Sequence, residues 1–307
     1  GLDEIPSMVP SLPEGQLTAE NQPIPPYFGA NQQEQQFLDE VTRAFSKGKV
    51  TPQRRSGPIN QGYSASYGDQ FQVFGDTPLG LVTGVTYSRS TSASRDRLSA
   101  AAGAGGQAGV STEFRFTGES GSTEEVLGGI ANFTLNPHPN HQLSFNTLYN
   151  RSEQKSAVFL SGRIPRDDDS RTFNRRRIEP IDRTVWNLQA KGEHMLGSGG
   201  SSTPRLTWSS SYSQTTQDES DVRFFTDDFL PERNVHRIAL SVYEAPTRYF
   251  RNLKESTWSN DLSLSVPFGL GNVQVGGSYL RKERDLEERR FAYGNLDSPN
   301  YGGAPDT

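Results

Sequence analysis

Strict alternation of apolar and polar residues, carried by segments that run into a short turn and return, constrains this chain more than any other feature. The turns lie at Gly75–Gly80, Asn136–Asn140, Gly197–Pro204 and Gly269–Asn272, and a tyrosine follows each: Tyr87, Tyr149, Tyr212 and Tyr279. Neighbouring tyrosines are 62, 63 and 67 residues apart. A period of two marks a β-strand with unlike faces. In the first segment Tyr63, Ala65, Tyr67, Phe71 and Val73 alternate with Ser64, Ser66, Gly68, Gln70 and Gln72, and only Asp69 breaks the apolar face. The last hairpin repeats the pattern with Leu262, Leu264, Val266 and Phe268, then Val273, Val275 and Tyr279.

A soluble sandwich also alternates, so the period alone leaves two architectures open. Aromatic placement favours a membrane wall. Tyr87, Tyr149, Tyr212 and Tyr279 follow their turns by roughly ten residues, the length of one tilted membrane-crossing strand, and Trp186 and Trp258 precede theirs by a similar distance. These six would form one interfacial girdle; Phe74, Phe133 and Phe268, near the turns, would mark the opposite interface. The polar stretches Ser88–Glu125 and Thr215–Ser256 are expected as long loops on the side away from the short turns. The expected fold is all-β: a transmembrane antiparallel β-barrel, with about eight strands over residues 61–307.

Composition narrows the alternatives. Hydrophobic residues make up 32% of the chain and the mean hydropathy is −0.70, with no apolar run long enough for a membrane-spanning helix. The net charge of −5 provides no basic surplus for nucleic acid. With no cysteine, thiol catalysis, disulfides and Cys-based metal sites are excluded. No triad, zinc motif or phosphate loop is present, so no enzyme activity, cofactor or resident metal is expected. His138 and His141 share a turn with two prolines, and Asp218, Glu219, Asp221, Asp227 and Asp228 cluster; a solvated turn and a solvated loop are the favoured readings over metal or Ca²⁺ sites. Arg175–Arg177 and Asp167–Asp169 read as one charge-mixed loop, and Gly103–Gly109 as a loop tip. Phe224, Phe225, Tyr249 and Phe250 are the candidates for ligand contact in the loops.

Residues 1–60 are organised differently. Prolines keep the first part extended; Asn31 with Glu34 then gives a capping signal for a helix over 32–46, with Phe37, Leu38, Val41 and Phe45 forming a narrow apolar stripe. The expectation is a loop helix packed on the barrel mouth.

Several segments carry a family texture: Gly1-Leu2-Asp3-Glu4-Ile5-Pro6-Ser7, Thr51-Pro52-Gln53-Arg54, Pro58 with Asn60-Gln61-Gly62-Tyr63, Pro78-Leu79-Gly80 in the first turn, and Asp182-Arg183-Thr184 leading to Asn187-Leu188-Gln189 and Lys191-Gly192-Glu193-His194. Over most of its length the chain resembles the barrel section of a TonB-dependent outer-membrane receptor of the large kind common in Bacteroidetes-like bacteria. The resemblance implies a 22-stranded plugged barrel of which this chain is a part, residues 1–60 being an extracellular loop. It implies energised uptake of a nutrient such as a metal chelate, oligosaccharide or peptide. The implied partners are outer-membrane lipid and lipopolysaccharide, the rest of the barrel and its plug, a periplasmic TonB-type coupling protein and a surface lipoprotein. A non-transporting structural or adhesive barrel and a soluble all-β binding protein are the alternatives.

Overall fold

The computed structural model describes residues 5–10, 24, 30–45, 48–105, 109–165, 168–197, 203–238, 246–269, 271–292 and 300–301. Among the described residues one helix, α1 (Gln32–Phe45), precedes eight long strands: β1 (Gln61–Val73), β2 (Thr77–Gly105), β3 (Gly109–His138), β4 (His141–Ile164), β5 (Asp168–Met195), β6 (Arg205–Leu230), β8 (Thr247–Phe268) and β9 (Gly271–Ala292). Two short strands, β7 (Val235–Ile238) and β10 (Asn300–Tyr301), extend the sheet beside the far end of β6. All pairings are antiparallel and run in chain order from β1 to β6, then to β8 and β9. The sheet does not close: β1 bonds only to β2 and β9 only to β8 among the described residues. Both edge strands are exposed along nearly their whole length.

The four expected turns are present, three of them tighter than their sequence bounds. Phe74 at φ 51 and Gly75 at φ 92 reverse the chain between Val73 and Thr77, and Pro139 and Asn140 join β3 to β4. The other two lie between Met195 and Arg205 and between Phe268 and Gly271; part of each lies outside the described residues. At the opposite end the structure corrects the expectation. Most of Ser88–Glu125 is not a loop but the upper hairpin of β2 and β3, paired as far as Gly105 with Gly109. Likewise β6 and β8 pair from Arg205 with Ser265 up to Phe224 with Thr247, and Arg175–Arg177 belong to β5. Beyond the tyrosine row the strands carry polar residues on both faces, so the period of two that reveals a strand with unlike faces has no cause there. Bulges at Ser94/Arg97 and Glu219/Val222 break what period remains.

The helix forms as its residues dictate. The Asn31 carboxamide accepts from the Gln33 and Glu34 amides at 3.0 Å, and Glu34 returns a bond from the Asn31 amide at 2.7 Å, a reciprocal capping box. Val41 and Phe45 are buried with Val9 and Phe250, ringed by Phe37 and Phe291. A second apolar cluster joins Phe116, Leu160, Ile164 and Phe173 in the upper parts of β3, β4 and β5. Both clusters lie away from the short turns.

The ladders also decide which side of the sheet the leader occupies. Phe250 and Phe291 share a face with Trp258 because β8 and β9 pair without interruption from Thr247 to Phe268. Arg54 forms a bidentate pair with Glu119, which shares a face with Glu125 and Leu127 through an unbroken ladder. The Thr91 amide donates to the Asn60 carboxamide at 2.6 Å. Residues 30–45 and 48–60 therefore run as a strap from the top of β8 and β9 across to β2, on the same side as the apolar band rather than across the polar side.

Candidate functional site

Register places the alternating apolar residues in continuous rows across the sheet. One row reads Phe71, Leu79, Leu135, Leu143, Gly192, Trp208 and Leu262. Another reads Tyr67, Thr83, Ala131, Thr147, Leu188, Tyr212 and Trp258. On β8 this apolar side is the more accessible one. Along β8, Leu262, Leu264, Val266 and Phe268 are exposed while the intervening Ser263 and Ser265 are half-buried. In water-soluble sheets the apolar side is the one covered. Asp69, the one break in the first strand, accepts from the Tyr67 hydroxyl at 2.8 Å and from the Gln70 amide at 2.8 Å, so its carboxylate is hydrogen-bonded in place.

The six aromatics expected to form one row largely meet. Ring centroids of Trp186 and Tyr212 lie 6.0 Å apart, those of Tyr212 and Trp258 4.9 Å, and Tyr149 is the register partner of Trp186. Tyr87 stacks on Tyr63, an aromatic of the same face, at 6.5 Å. Tyr279 lies opposite Asn260, one register pair along the same face from Trp258 with Arg281. At the turn end, Phe133 and Phe145 are 6.4 Å apart, and Phe74 is 92% exposed.

The other side of the lower sheet carries mostly hydroxyls and amides, with Val82, Ile130, Leu148 and Leu280 exposed among them. Gln274 donates to Ser263 at 2.7 Å, Ser209 to Asp261 at 3.1 Å, Ser265 to Asn272 at 3.0 Å and Asn146 to Gln189 at 3.4 Å. Such cross-strand bonds satisfy polar groups while leaving the surface wettable.

Of the ligand-contact candidates, two come together. Phe224 and Tyr249 meet edge to face at 5.7 Å, flanked by the Arg177 guanidinium 5.3 Å over Phe224 and that of Arg290 5.3 Å over Tyr249. Phe225 and Phe250 do not join them, since adjacent strand residues point to opposite faces. Phe250 is instead buried under α1, against Phe45 at 6.2 Å, which removes it as a ligand contact.

The acidic cluster is corrected as well. Asp221, held at φ 65 and 1% exposed, bonds both Arg223 and Arg248. Asp227 takes Arg176 at 2.6 Å and His236 at 2.9 Å, Asp228 takes Arg237 at 2.9 Å, and Glu219 takes Arg251 at 2.8 Å. These carboxylates are spent on guanidinium groups, and no metal-binding group of three occurs among the described residues. Asp218 faces Asp182 across the ladder; burial first, then Asp182 and Glu219, raise its carboxyl above the ordinary carboxylate range.

At the turns, His138, His141 and His194 border a cavity of about 630 Å³. The Trp208 indole donates to His194 Nε2 at 3.0 Å. An indole N–H only donates, so neutral His194 carries its proton on Nδ1 and gives it to His141 Nδ1, 3.1 Å away. Neither facing nitrogen then has a free lone pair for a metal. Trp208 reaches His194 by lying over Gly192, where a Cβ would fall 2.2 Å from the indole nitrogen. The sequence reading missed this bond; nothing in the spacing of the two residues reveals it.

No protein family, curated protein or solved structure matches the chain.

Proposed function

We propose that this chain forms part of the wall of a plugged outer-membrane β-barrel that takes up a nutrient in a TonB-coupled manner, with the turns of β1–β2, β3–β4, β5–β6 and β8–β9 at the periplasmic side. The observation that carries the membrane part is the apolar band, in register across the strands and exposed along β8, backed by a surface mostly of hydroxyls and amides. Water penalises such a band at roughly 25 cal/mol per Å², whereas a hydrocarbon layer does not. An exposed phenylalanine at φ 51 in the first turn fits an interfacial anchor, since in water that side chain would offset none of its backbone strain. Free edges on β1 and β9 fit further strands of a larger barrel, because unpaired N–H and C=O groups are costly in lipid. Transport through TonB coupling, a 22-strand closure and the nutrient class rest on the sequence resemblance alone.

Fractionation of cells tests the reading stepwise. The protein should sediment with outer membranes and resist urea extraction, and its loss should abolish an uptake activity that also requires the energised coupling system. Recovery from the soluble fraction would support a soluble binding protein. Outer-membrane location without any uptake defect would support a structural or adhesive barrel.

A further inference from the structure

At the turn end of the sheet three imidazoles present three lone pairs, and an N–H donor already sits on each. The Asn140 amide donates to His138 Nδ1 at 3.2 Å, His194 Nδ1–H to His141 Nδ1 at 3.1 Å, and the Trp208 indole to His194 Nε2 at 3.0 Å. The rings are close: centroids of His138 and His141 lie 5.6 Å apart, and those of His141 and His194 5.2 Å. A neutral imidazole has one lone pair, so a proton arriving at any of the three must displace a donor. Tautomer exchange does not relieve this. A proton on His141 Nδ1 faces the N–H of His194, and if His194 moves its own proton to Nε2 it meets the indole N–H, which can only donate.

No carboxylate is bonded to these rings among the described residues; the imidazole that has one is His236, on Asp227. The charged groups on the rim of the shared cavity are Asp76, from the turn between β1 and β2, with Glu193 and Arg205, and the last two point to the opposite face of the sheet from His194 and Trp208. The donors that a proton would displace also hold this end of the sheet together. Asn140 joins two turns: its carbonyl accepts from the Met195 amide at 2.8 Å and its carboxamide donates to the Gly197 carbonyl at 2.6 Å. Trp208 bridges β6 to β5 by lying over Gly192, where there is room only because that residue lacks a Cβ. Imidazoles exchange protons between about pH 5 and about pH 8. We propose that the cluster is a proton-operated clip: mild acid expels the Trp208 indole from His194 and loosens the joint at Asn140, whereas at neutral pH and above the chain of rings holds the β3–β4 and β5–β6 turns together. The device involves the turn end alone and stands apart from the transport reading.

The test follows the indole N–H resonance of Trp208 in the folded full chain, with Trp186→Phe and Trp258→Phe leaving it as the one tryptophan, and amide protection at Met195, both between about pH 8 and about pH 5. Acid should move the indole resonance to the position of an unbonded N–H and lower Met195 protection about fivefold. His194→Gln gives the indole an acceptor that takes up no proton, so in that variant the indole resonance should stay in place across the range. Nitrogen-resolved NMR of labelled histidine leaves the cluster intact and decides the matter if the glutamine variant misfolds: the second proton on His194 should arrive with the same midpoint as the indole shift. An indole resonance that does not move between the two pH values, a response that survives His194→Gln, or separate midpoints for His194 and the indole would each overturn the clip. With Trp186 kept as the one tryptophan instead, an equal shift would reveal general loosening of the sheet in acid and overturn it as well.

Discussion

Arg248 donates from Nη1 to the main-chain carbonyl of Phe45 at 2.5 Å, joining the top of β8 to the C-terminal end of α1. The carbonyls at a helix C-terminus lack partners and carry the negative end of its dipole, so a buried guanidinium answers both needs. Arg223 bonds the Lys49 carbonyl at 2.5 Å in the same way, and Asp221 holds both arginines. Asp221→Ala leaves two guanidinium groups without their shared carboxylate and should cost about 3–5 kcal/mol. Limited proteolysis should then cut within residues 46–60 well before the strands unravel. Unchanged resistance of the strap would refute the latch.

The Trp208 to His194 bond leads to a second expectation. Trp208→Phe keeps most of the ring volume and loses the indole donor, so it should cost about 1 kcal/mol. It also frees His194 to exchange tautomers, so nitrogen-resolved NMR of labelled histidine should show a shift from the Nδ1–H to the Nε2–H form at His194. A wild-type protein already in the Nε2–H form would contradict the assignment. Gly192→Ala should act in the same direction by displacing the indole.

Lipid and lumen faces should differ in their tolerance of charge. Leu264→Arg places a cation on the apolar band and should destabilise by about 2–4 kcal/mol near the bilayer midplane. Ser263→Arg, one residue away, points to the hydroxyl side and should be mild. Folding titrations in liposomes that rank Ser263→Arg as the worse change would reverse the faces.

Asp218 gives a pH dependence with a definite sign. Its carboxyl is raised in the folded state, so the ionised form costs stability above the folded pKa, and the cost is relieved as pH falls through that value toward the ordinary carboxylate range. Asp218→Asn should therefore stabilise at neutral pH, by about 0.2–1 kcal/mol for a like-charge pair facing across two strands. The gain should vanish in acid below the ordinary carboxylate range. Denaturant midpoints at the two pH values measure it, and an equal gain at both would contradict the cause.

The lower half of the sheet was legible because its two faces carry opposite chemistry on adjacent residues; Leu262 with Ser263 and Leu143 with Ser144 record that alternation directly. The upper half was not. Between Ser90 and Ser94 both faces of β2 carry small polar residues, a composition that also fits a loop, and only long-range pairing with β3 makes it a strand. The helix of the leader was readable from Asn31, Glu34 and its apolar stripe, but its seat on Phe250 depends on a contact about two hundred residues away. Phe224 and Tyr249 were named without a signal that they touch, and the phenylalanine beside each pointed to the opposite face. Guanidinium partners for Asp221, Asp227 and Asp228 were equally invisible, since four strands bring them together.

The account turns on which side of the sheet meets hydrocarbon, and quenching by lipids brominated at mid-chain measures that directly. Tryptophan is placed singly at Leu264, Leu143, Ser263 or Ser144 in a background with Trp186, Trp208 and Trp258 changed to Phe, and the protein is inserted into bilayers of brominated lipid. Strong quenching at positions 264 and 143 with little at 263 and 144 is the predicted result. Equal quenching at all four positions, or stronger quenching at the serine positions, would contradict the assignment of the apolar band to lipid.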